Sequence, residues 1–295
     1  MKKYILIVLS VVLLVGCQSE PPQAPSMVIE AWIDANGYPT VLIHKSYVFA
    51  AAGDTTQRLE DIIEQQLIPF GKVTLTDGEQ TEVLTGRLDT TYMPPFLYST
   101  TRMKGEVGKA YTVTAQWEDL YASARTTIPP VARLDSVVVR GDSAGIVDAC
   151  GYMTIDTQSE AYYALFMRDM RSKQYQFCPL GVFESKDAQQ GQMEMRIYNP
   201  FNDTINNPKQ TLYFWRDTVP DKTMDYYLKV ARIDYPSYQF WKAYNERIVS
   251  KGIIFVPVYK NIASNVEGGL GYFCGMGSSS YPIRLDRDTV YHLVQ

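Results

Sequence analysis

The chain has 295 residues, and its 28 Lys and Arg against 32 Asp and Glu give a formal net charge of −4. No dense block of Lys or Arg is present to neutralise a phosphate backbone, which argues against nucleic acid as a partner. Tyr is unusually frequent at 22 residues, and it recurs with Thr and Val in short runs, a composition that favours β-sheet.

The N-terminus has the pattern of a secretory signal with a lipoprotein-type cleavage site. Lys2 and Lys3 precede an apolar run from Tyr4 to Val15, and the small Gly16 precedes Cys17. The run is shorter than the ~20 apolar residues that span a bilayer. The pattern predicts removal of residues 1–16 and acylation of Cys17, and two or more acyl chains make a firm membrane anchor.

The segment that follows, residues 17–26, is rich in proline and offers little that could be buried. We interpret it as an extended tether between the lipid and the fold. No later apolar run is long enough to cross a membrane.

A first β domain is predicted over residues 27–130. Met27 to Asp34 alternates with period two, Asn36-Gly37 is a hairpin signal, and Thr40 to Val48 is the returning strand. Gln57 to Leu67 changes to helical spacing, which predicts a short helix. Further strands are predicted at Lys72–Thr76, Glu82–Gly86, Ala110–Trp117 and Tyr121–Ile128, and Pro129-Pro130 marks the domain boundary.

A second β-rich domain is predicted over residues 131–295. Its pattern changes to helical spacing near residues 237–249, where Ser237 is the predicted N-cap. Asn261 to Tyr272 is rich in Gly and Asn, which predicts a shaped loop. The predicted strands are Leu134–Arg140, Tyr152–Ile155, Tyr162–Arg168, Met193–Tyr198, Thr211–Arg216, Tyr226–Ile233, Ile253–Tyr259 and Val290–Val294.

Three cysteines other than Cys17 are present, at Cys150, Cys178 and Cys274. Their spacing matches neither a zinc ribbon nor a redox pair. We interpret them as buried, unpaired small hydrophobic residues. One disulfide is the alternative in an exported chain, and the sequence does not choose among the three possible pairings.

Two groups of aromatic residues are candidate contact surfaces. Tyr92, Phe96 and Tyr98 flank Pro94-Pro95 between predicted strands, and we expect them to be exposed and to contact a ligand or partner. The second group is attributed first to packing of the predicted helix on its sheet. It consists of Tyr235, Tyr238, Phe240, Trp241 and Tyr244.

The glycine-rich segment with Gly268, Gly269 and Gly271 lacks the Lys and Ser/Thr of a phosphate-binding loop. We expect these glycines to supply positive φ or to let one backbone approach another closely. A rigid loop that docks a partner is the functional alternative.

Catalytic and metal sites have little support in the sequence. The two histidines, His44 and His292, are not set in a Ser-His-Asp pattern, and no histidine or cysteine pair has metal-ligand spacing. We therefore predict no catalytic residues, no metal and no cofactor. A hydrolase with paired carboxylates is a less favoured alternative.

Four phrases of the sequence, taken in order, resemble one known family. They are Val28–Ile33 with Val41–Ile43, Gly105–Val113, Thr126–Pro130 with Leu134–Val137, and Asn265–Phe273. Together they resemble the domain of unknown function 4249 family, lipoproteins of the Bacteroidota, over roughly Met27 to Gly277.

The resemblance implies two β-rich domains, the first of them immunoglobulin-like. It also implies an outer-membrane lipoprotein that accompanies TonB-dependent transporter systems, and it supplies no catalytic residues.

These observations together predict a mainly β protein of two β-sandwich-like domains with one or two short helices. The predicted role is that of a non-catalytic, lipid-anchored binding subunit of an outer-membrane β-barrel system. Exposure on the cell surface is favoured over the periplasmic face, and a small nutrient ligand is the possible cargo. A purely structural subunit of an outer-membrane assembly is the alternative.

Overall fold

The computed structural model describes residues 25–46, 66–92, 94–141, 146–170, 172, 174–198, 200, 215–216, 225–250, 262–284 and 289–292. The predicted signal peptide, Cys17 and most of the predicted tether lie outside these residues. So do most of the predicted helix Gln57–Leu67, most of the predicted strand Thr211–Arg216 and the whole predicted strand Ile253–Tyr259.

Most strands of the first half of the chain lie close to the predicted positions, whereas the strand at Phe96–Ser99 was not predicted. The strands are β1 (Met27–Asp34), β2 (Thr40–Lys45), β3 (Lys72–Thr76), β4 (Thr81–Val83), β5 (Thr85–Leu88), β6 (Phe96–Ser99), β7 (Ala110–Trp117) and β8 (Leu120–Thr127).

The second half contributes further strands, one α-helix and a 3₁₀ turn at Ser185–Asp187. The strands are β9 (Ser136–Gly141), β10 (Ile146–Thr154), β11 (Tyr162–Asp169), β12 (Gln176–Glu184), β13 (Gln192–Arg196), β14 (Trp215–Arg216), β15 (Asp225–Ile233), β16 (Val266–Glu267), β17 (Gly269–Arg284) and β18 (Thr289–His292), and the helix is α1 (Tyr235–Ser250).

Three sheets organise the described residues. An eight-stranded sheet has the order β12-β11-β15-β17-β1-β2-β6-β5. A sheet of β16-β8-β7-β3-β4 covers one end of it, and a sheet of β13-β10-β9-β18, with β14 beside β10, covers the other end. The predicted mainly β, β-sandwich-like fold is confirmed.

Strand β17 joins the two sandwiches. Its first half, Gly269–Met276, pairs in parallel with β1, and its second half, Gly277–Arg284, pairs antiparallel with β15. One continuous strand therefore belongs to both sandwiches, and both share the same large sheet.

Each sandwich has its own apolar core. The first contains Ile29, Ile33, Val113 and Tyr111, and it also takes in Phe273 from β17, which the sequence had assigned to the second domain. The second core is built mainly from β9 to β15, with Leu134, Leu165 and Met195 among its buried members.

The large sheet also buries apolar residues on its other face, beneath α1. Successive residues of β11 alternate between the two faces, so Leu165 enters the second core whereas Phe166 packs under the helix. Trp241 of α1 lies edge-on to Phe166, with ring centroids 5.2 Å apart. The prediction that this helix packs on the sheet is confirmed.

Helix α1 begins earlier than predicted, and its N-cap is Asp234. The predicted N-cap, Ser237, is wrong, because its backbone N–H donates to Asp234 Oδ1 at 3.0 Å. Thr126 Oγ1 of β8 donates to the other carboxylate oxygen at 2.7 Å. A single carboxylate thus caps the helix and fixes its start to the first sandwich.

Two other local predictions were wrong. Strand β12 was not predicted, because Pro179 and Gly181 interrupt its apolar pattern. The glycine-rich stretch was predicted to be a loop up to Tyr272, but its last residues form β16 and the start of β17.

Candidate functional site

An aromatic cavity lies on the face of the large sheet that carries α1. Its volume is about 430 Å³, within the range of about 300–1,000 Å³ that is typical of small-molecule sites. Eight of its fourteen lining residues are aromatic, and they come from the sheet, the helix and the loop before β6.

The floor of the cavity is set by strand register. Glu30 of β1 lies directly opposite Tyr272 of β17 on one side and Leu42 of β2 on the other, so the three side chains share one face. Trp32 follows two residues after Glu30 and points to the same face. The outward side of β1 therefore supplies a carboxylate and an indole to the cavity.

One wall comes from α1 and β12. Phe240, Trp241 and Tyr244 line the cavity from the helix, and Phe177 lines it from the strand. The Phe177 and Trp241 rings stack with centroids 4.9 Å apart, and Phe240 stacks on Tyr272 at 4.3 Å. This interlocked packing holds the rings in place before any ligand arrives.

The opposite wall is formed by Tyr92, whose ring centroid lies 6.1 Å from that of Trp32. Tyr92 is half-buried in the loop before β6. Burial raises the pKa of its phenol, and the nearby Asp89 carboxylate adds to the shift. Tyr92 is the one residue of the predicted contact group that lines this cavity.

The carboxylate of Glu30 sits at the edge of this aromatic surface. Its side chain is 40% exposed, and its Oε1 lies 3.7 Å from His44 Nε2 on β2. Burial raises the pKa of the Tyr272 phenol well above its ordinary value, and the Glu30 carboxylate contributes to the rise. Tyr272 is therefore a neutral phenol across the physiological pH range.

The rest of the predicted aromatic group does not form an exposed surface. Tyr98 is only 2% exposed, so the expectation that it is exposed was wrong. Its hydroxyl accepts the Gly71 N–H at 2.8 Å and lies 3.3 Å from the Ile68 carbonyl. Phe96 is half-buried and packs edge-on against Tyr98, with centroids 5.4 Å apart.

Replacing Tyr98 with Ala is expected to lower the free energy of unfolding by about 3–5 kcal/mol, since it empties a core position. Urea unfolding measures this loss. Tyr98→Phe keeps the ring and isolates the hydroxyl, and it should cost far less. Equal unfolding midpoints for Tyr98→Ala and the unmodified chain would contradict the assignment of Tyr98 to the core.

The three predicted glycines lie at the start of β17, next to β1 and β8. Gly268 has φ of +73° and Gly271 has φ of +108°, which confirms the expectation of positive φ. A Cβ on Gly269 would lie 2.4 Å from the Met27 carbonyl oxygen, which confirms close backbone approach. Asn265 fixes the segment by accepting the Phe273 N–H at 2.9 Å.

The three cysteines are buried as thiols. Burial raises the pKa of Cys274 to about 12 and raises that of Cys178 further. Cys150 Sγ donates to Glu194 Oε1 at 3.5 Å. Their interpretation as small buried residues is confirmed, and protonated thiols of this kind are weak nucleophiles.

In the part of the chain that the structure describes, no three His, Cys, Asp or Glu side chains gather as a possible metal-binding group. Within the same residues, no helix combines the length and the hydropathy that a membrane span requires.

Several lining residues escaped sequence reasoning. Glu30 and Trp32 were visible only as the mixed face of an alternating strand, and Tyr175 and Phe177 belong to the unpredicted strand β12 and its approach. The available signal was an indole and a carboxylate on the solvent side of a strand. The aromatic residues of the helix were predicted as candidate contacts that were attributed first to packing on the sheet.

Fold and cavity together define a mainly β protein with two sandwiches on one shared sheet and an aromatic, concave surface beside its helix. The sequence model of the family described as domain of unknown function (DUF4249) matches residues 18–281, and the chain belongs to this family. A comparison with curated proteins gives no match.

Proposed function

We propose that this chain is a non-catalytic, lipid-anchored subunit of the outer membrane that captures a small ligand in its aromatic cavity. In this proposal it presents the ligand to a β-barrel of the TonB-dependent transporter type. The observation that carries the proposal is the preformed cavity, because stacked rings around a carboxylate form a typical ligand site.

The geometry supports binding better than hydrolysis. Paired-carboxylate hydrolysis requires two acids on either side of the scissile bond. Glu30 is the sole acid among the described residues that line the cavity. The other described lining residues are aromatic, amide, proline and leucine side chains, none of which supplies a second carboxylate.

Anchoring would give such a subunit an advantage that requires no strong contacts. A lipid on Cys17 would confine the fold near its barrel and raise the effective concentration of each partner. The motif Leu14-Val15-Gly16-Cys17 supports this part of the proposal. Attachment to the surface-exposed leaflet is the arrangement that suits capture of an external nutrient.

Replacing Cys17 with Ser is expected to move the protein from the membrane fraction to the soluble fraction without unfolding it. The reason is that the acyl chains, and not the folded body, are proposed to hold the membrane. Cell fractionation followed by circular dichroism of the released protein measures both results. A Cys17→Ser chain that stays in the membrane pellet would contradict the anchor.

The function is tested by crosslinking in intact cells and purification in mild detergent, comparing the unmodified chain with Trp32→Ala. We expect the same β-barrel to co-purify with both chains, and ligand uptake to fall only with Trp32→Ala. Tyr121→Ala is the matched control, since that ring is 55% exposed on β8 and lies outside the cavity.

Two outcomes would count against this function. Failure of any barrel to co-purify would refute the accessory role. Normal uptake with Trp32→Ala, despite co-purification, would favour the purely structural subunit instead.

A further inference from the structure

We propose that the cavity selects an organic cation, a ligand that carries an alkylated ammonium group. This inference rests on the proposed ligand-binding function and specifies its substrate class. It follows from the ratio of rings to hydrogen-bonding groups and from the sign of the charge at the cavity.

The cavity offers more ring faces than charged or amide groups. Besides Glu30, the described lining has two side-chain amides, Gln174 and Gln176, and the hydroxyls of four tyrosines. The Tyr175 hydroxyl is already engaged, since it donates to Ser280 Oγ at 3.0 Å. A ligand with many hydroxyl groups would leave several of them unsatisfied here, at a cost in affinity.

Alkylated ammonium groups are suited to this environment. They form no strong hydrogen bonds, and they are attracted to the negative faces of aromatic rings, most strongly to those of Trp. Trp32 and Trp241 both line the cavity, and Tyr92 stands beside Trp32. Such rings bind a cation without the many hydrogen bonds that a sugar requires.

The charge of the cavity has the matching sign. Glu30 supplies a carboxylate, and the described lining contains no Lys or Arg. A carboxylate at the edge of a ring cluster adds direct attraction for a cation and repels an anion. His44 Nε2 lies 3.7 Å from this carboxylate.

Two basic residues near Tyr175 do not change this conclusion. Lys229 is 4% exposed, and its ammonium group is paired with Asp34 at 2.6 Å. The Arg168 guanidinium lies 4.0 Å from the ring centroid of Tyr227 and donates to the Ser172 carbonyl at 2.9 Å. Neither residue lines the cavity, although Lys229 Nζ lies 5.1 Å and the Arg168 guanidinium 5.4 Å from the ring centroid of the lining residue Tyr175. The ring faces proposed for the ligand are therefore those of Trp32, Trp241 and Tyr92.

Choline chloride and its neutral carbon isostere, 3,3-dimethyl-1-butanol, give a direct test on the full chain in detergent. We expect choline to bind about tenfold more tightly than the isostere, because only choline has the charge. The anion 3,3-dimethylbutanoate should bind more weakly still.

The tryptophans report where the probe binds. The indole N–H NMR signals of Trp32 and Trp241 should shift with choline. That of Trp117 should not, since its ring belongs to the first sandwich beneath Lys45 Nζ at 5.2 Å. Shifts at Trp117 alone would overturn the proposal.

A substitution isolates the carboxylate. Glu30→Gln keeps the shape of the side chain and should weaken choline binding by about tenfold. Binding of 3,3-dimethyl-1-butanol should remain unchanged. Glu79→Gln is the matched control, since Glu79 is an exposed residue of the β3–β4 turn, and it should leave choline binding intact.

The result that overturns the inference is equal or tighter binding of the neutral or anionic probe, or no shift of Trp32 and Trp241 with choline. These outcomes leave the proposed function standing, because co-purification with a barrel and the loss of uptake with Trp32→Ala are measured without choline. Failure of those two measurements would remove the function itself.

Discussion

Replacing Gly271 with Ala is expected to destabilise the fold by about 4 kcal/mol or more, beyond the range of ordinary substitutions. A Cβ at this position would lie 1.9 Å from the Ile29 carbonyl oxygen, and φ is +108°. The clash is with backbone that is fixed on both sides, because Ile29 of β1 pairs with β2 as well as with β17. Neither strand can move without breaking the shared sheet.

Gly78→Ala is the matched control for this prediction. Gly78 also has a positive φ, +92°, but a Cβ there would meet nothing within 4 Å. The Gly78→Ala substitution should lower the free energy of unfolding only by the cost of a left-handed backbone conformation, about 1–2 kcal/mol. Urea unfolding of the two purified variants separates the cost of the steric clash from the cost of a positive φ. Equal losses in the free energy of unfolding would show that β1 and β17 are in looser contact than described.

The second large effect is expected at the ion pair that links the two sandwiches. Lys229 Nζ of β15 lies 2.6 Å from Asp34 Oδ1 at the end of β1, and Ser278 Oγ donates to the same oxygen at 2.6 Å. Asp34→Ala should lower the free energy of unfolding by about 3–5 kcal/mol, because it leaves a buried ammonium group without its partner.

Two further variants distinguish the interaction free energy of the ion pair from the cost of leaving one buried charge unpaired. Lys229→Met should be milder than Asp34→Ala, since the Asp34 side chain is 27% exposed and remains partly hydrated. The double variant Asp34→Ala with Lys229→Met should recover much of the loss. Urea unfolding of all three gives the coupling free energy.

An exposed ion pair provides the control. Glu106 is 63% exposed beside Lys109, so Glu106→Ala should scarcely change stability. If Asp34→Ala proved as mild as Glu106→Ala, the buried pair would not be holding the sandwiches together.

Much of the fold could be predicted from local pattern. Strands such as Met27–Asp34 and Ala110–Trp117 alternate buried and half-buried residues, and their predicted limits match the structure. Period-two alternation is produced by a sheet with one face in a core, so the signal is contained in the strand itself.

Elements that are stabilised by residues distant in the sequence could not be predicted from local pattern. Leu180 of β12 has φ of +56°, and its N–H donates to the Asn245 side chain of α1 at 2.6 Å. The glycine-rich start of β17 forms a strand because β1 lies beside it, although glycine by itself weakens strands. Both depend on a partner that is distant in the sequence.

The candidate site also contains some residues that local pattern predicted and others that depend on distant strand pairing. Tyr92 was predicted as a contact residue, and the aromatic side chains of the helix were attributed first to packing on the sheet. Only the parallel pairing of β1 with β17 places Glu30 next to Tyr272, across more than two hundred residues of chain. No local pattern encodes that proximity.

By itself, the sequence determined the mainly β class and many strand positions, because these follow from residue chemistry over short windows. The order of four phrases indicated the family by resemblance. The tertiary structure alone decided that one long strand serves both sandwiches, that Asp234 caps the helix, and that aromatic side chains from separate segments enclose a cavity. Those outcomes depend on which distant strands pair. Backbone hydrogen bonds are alike for every pair of strands, so the packing of apolar faces selects the partner strand.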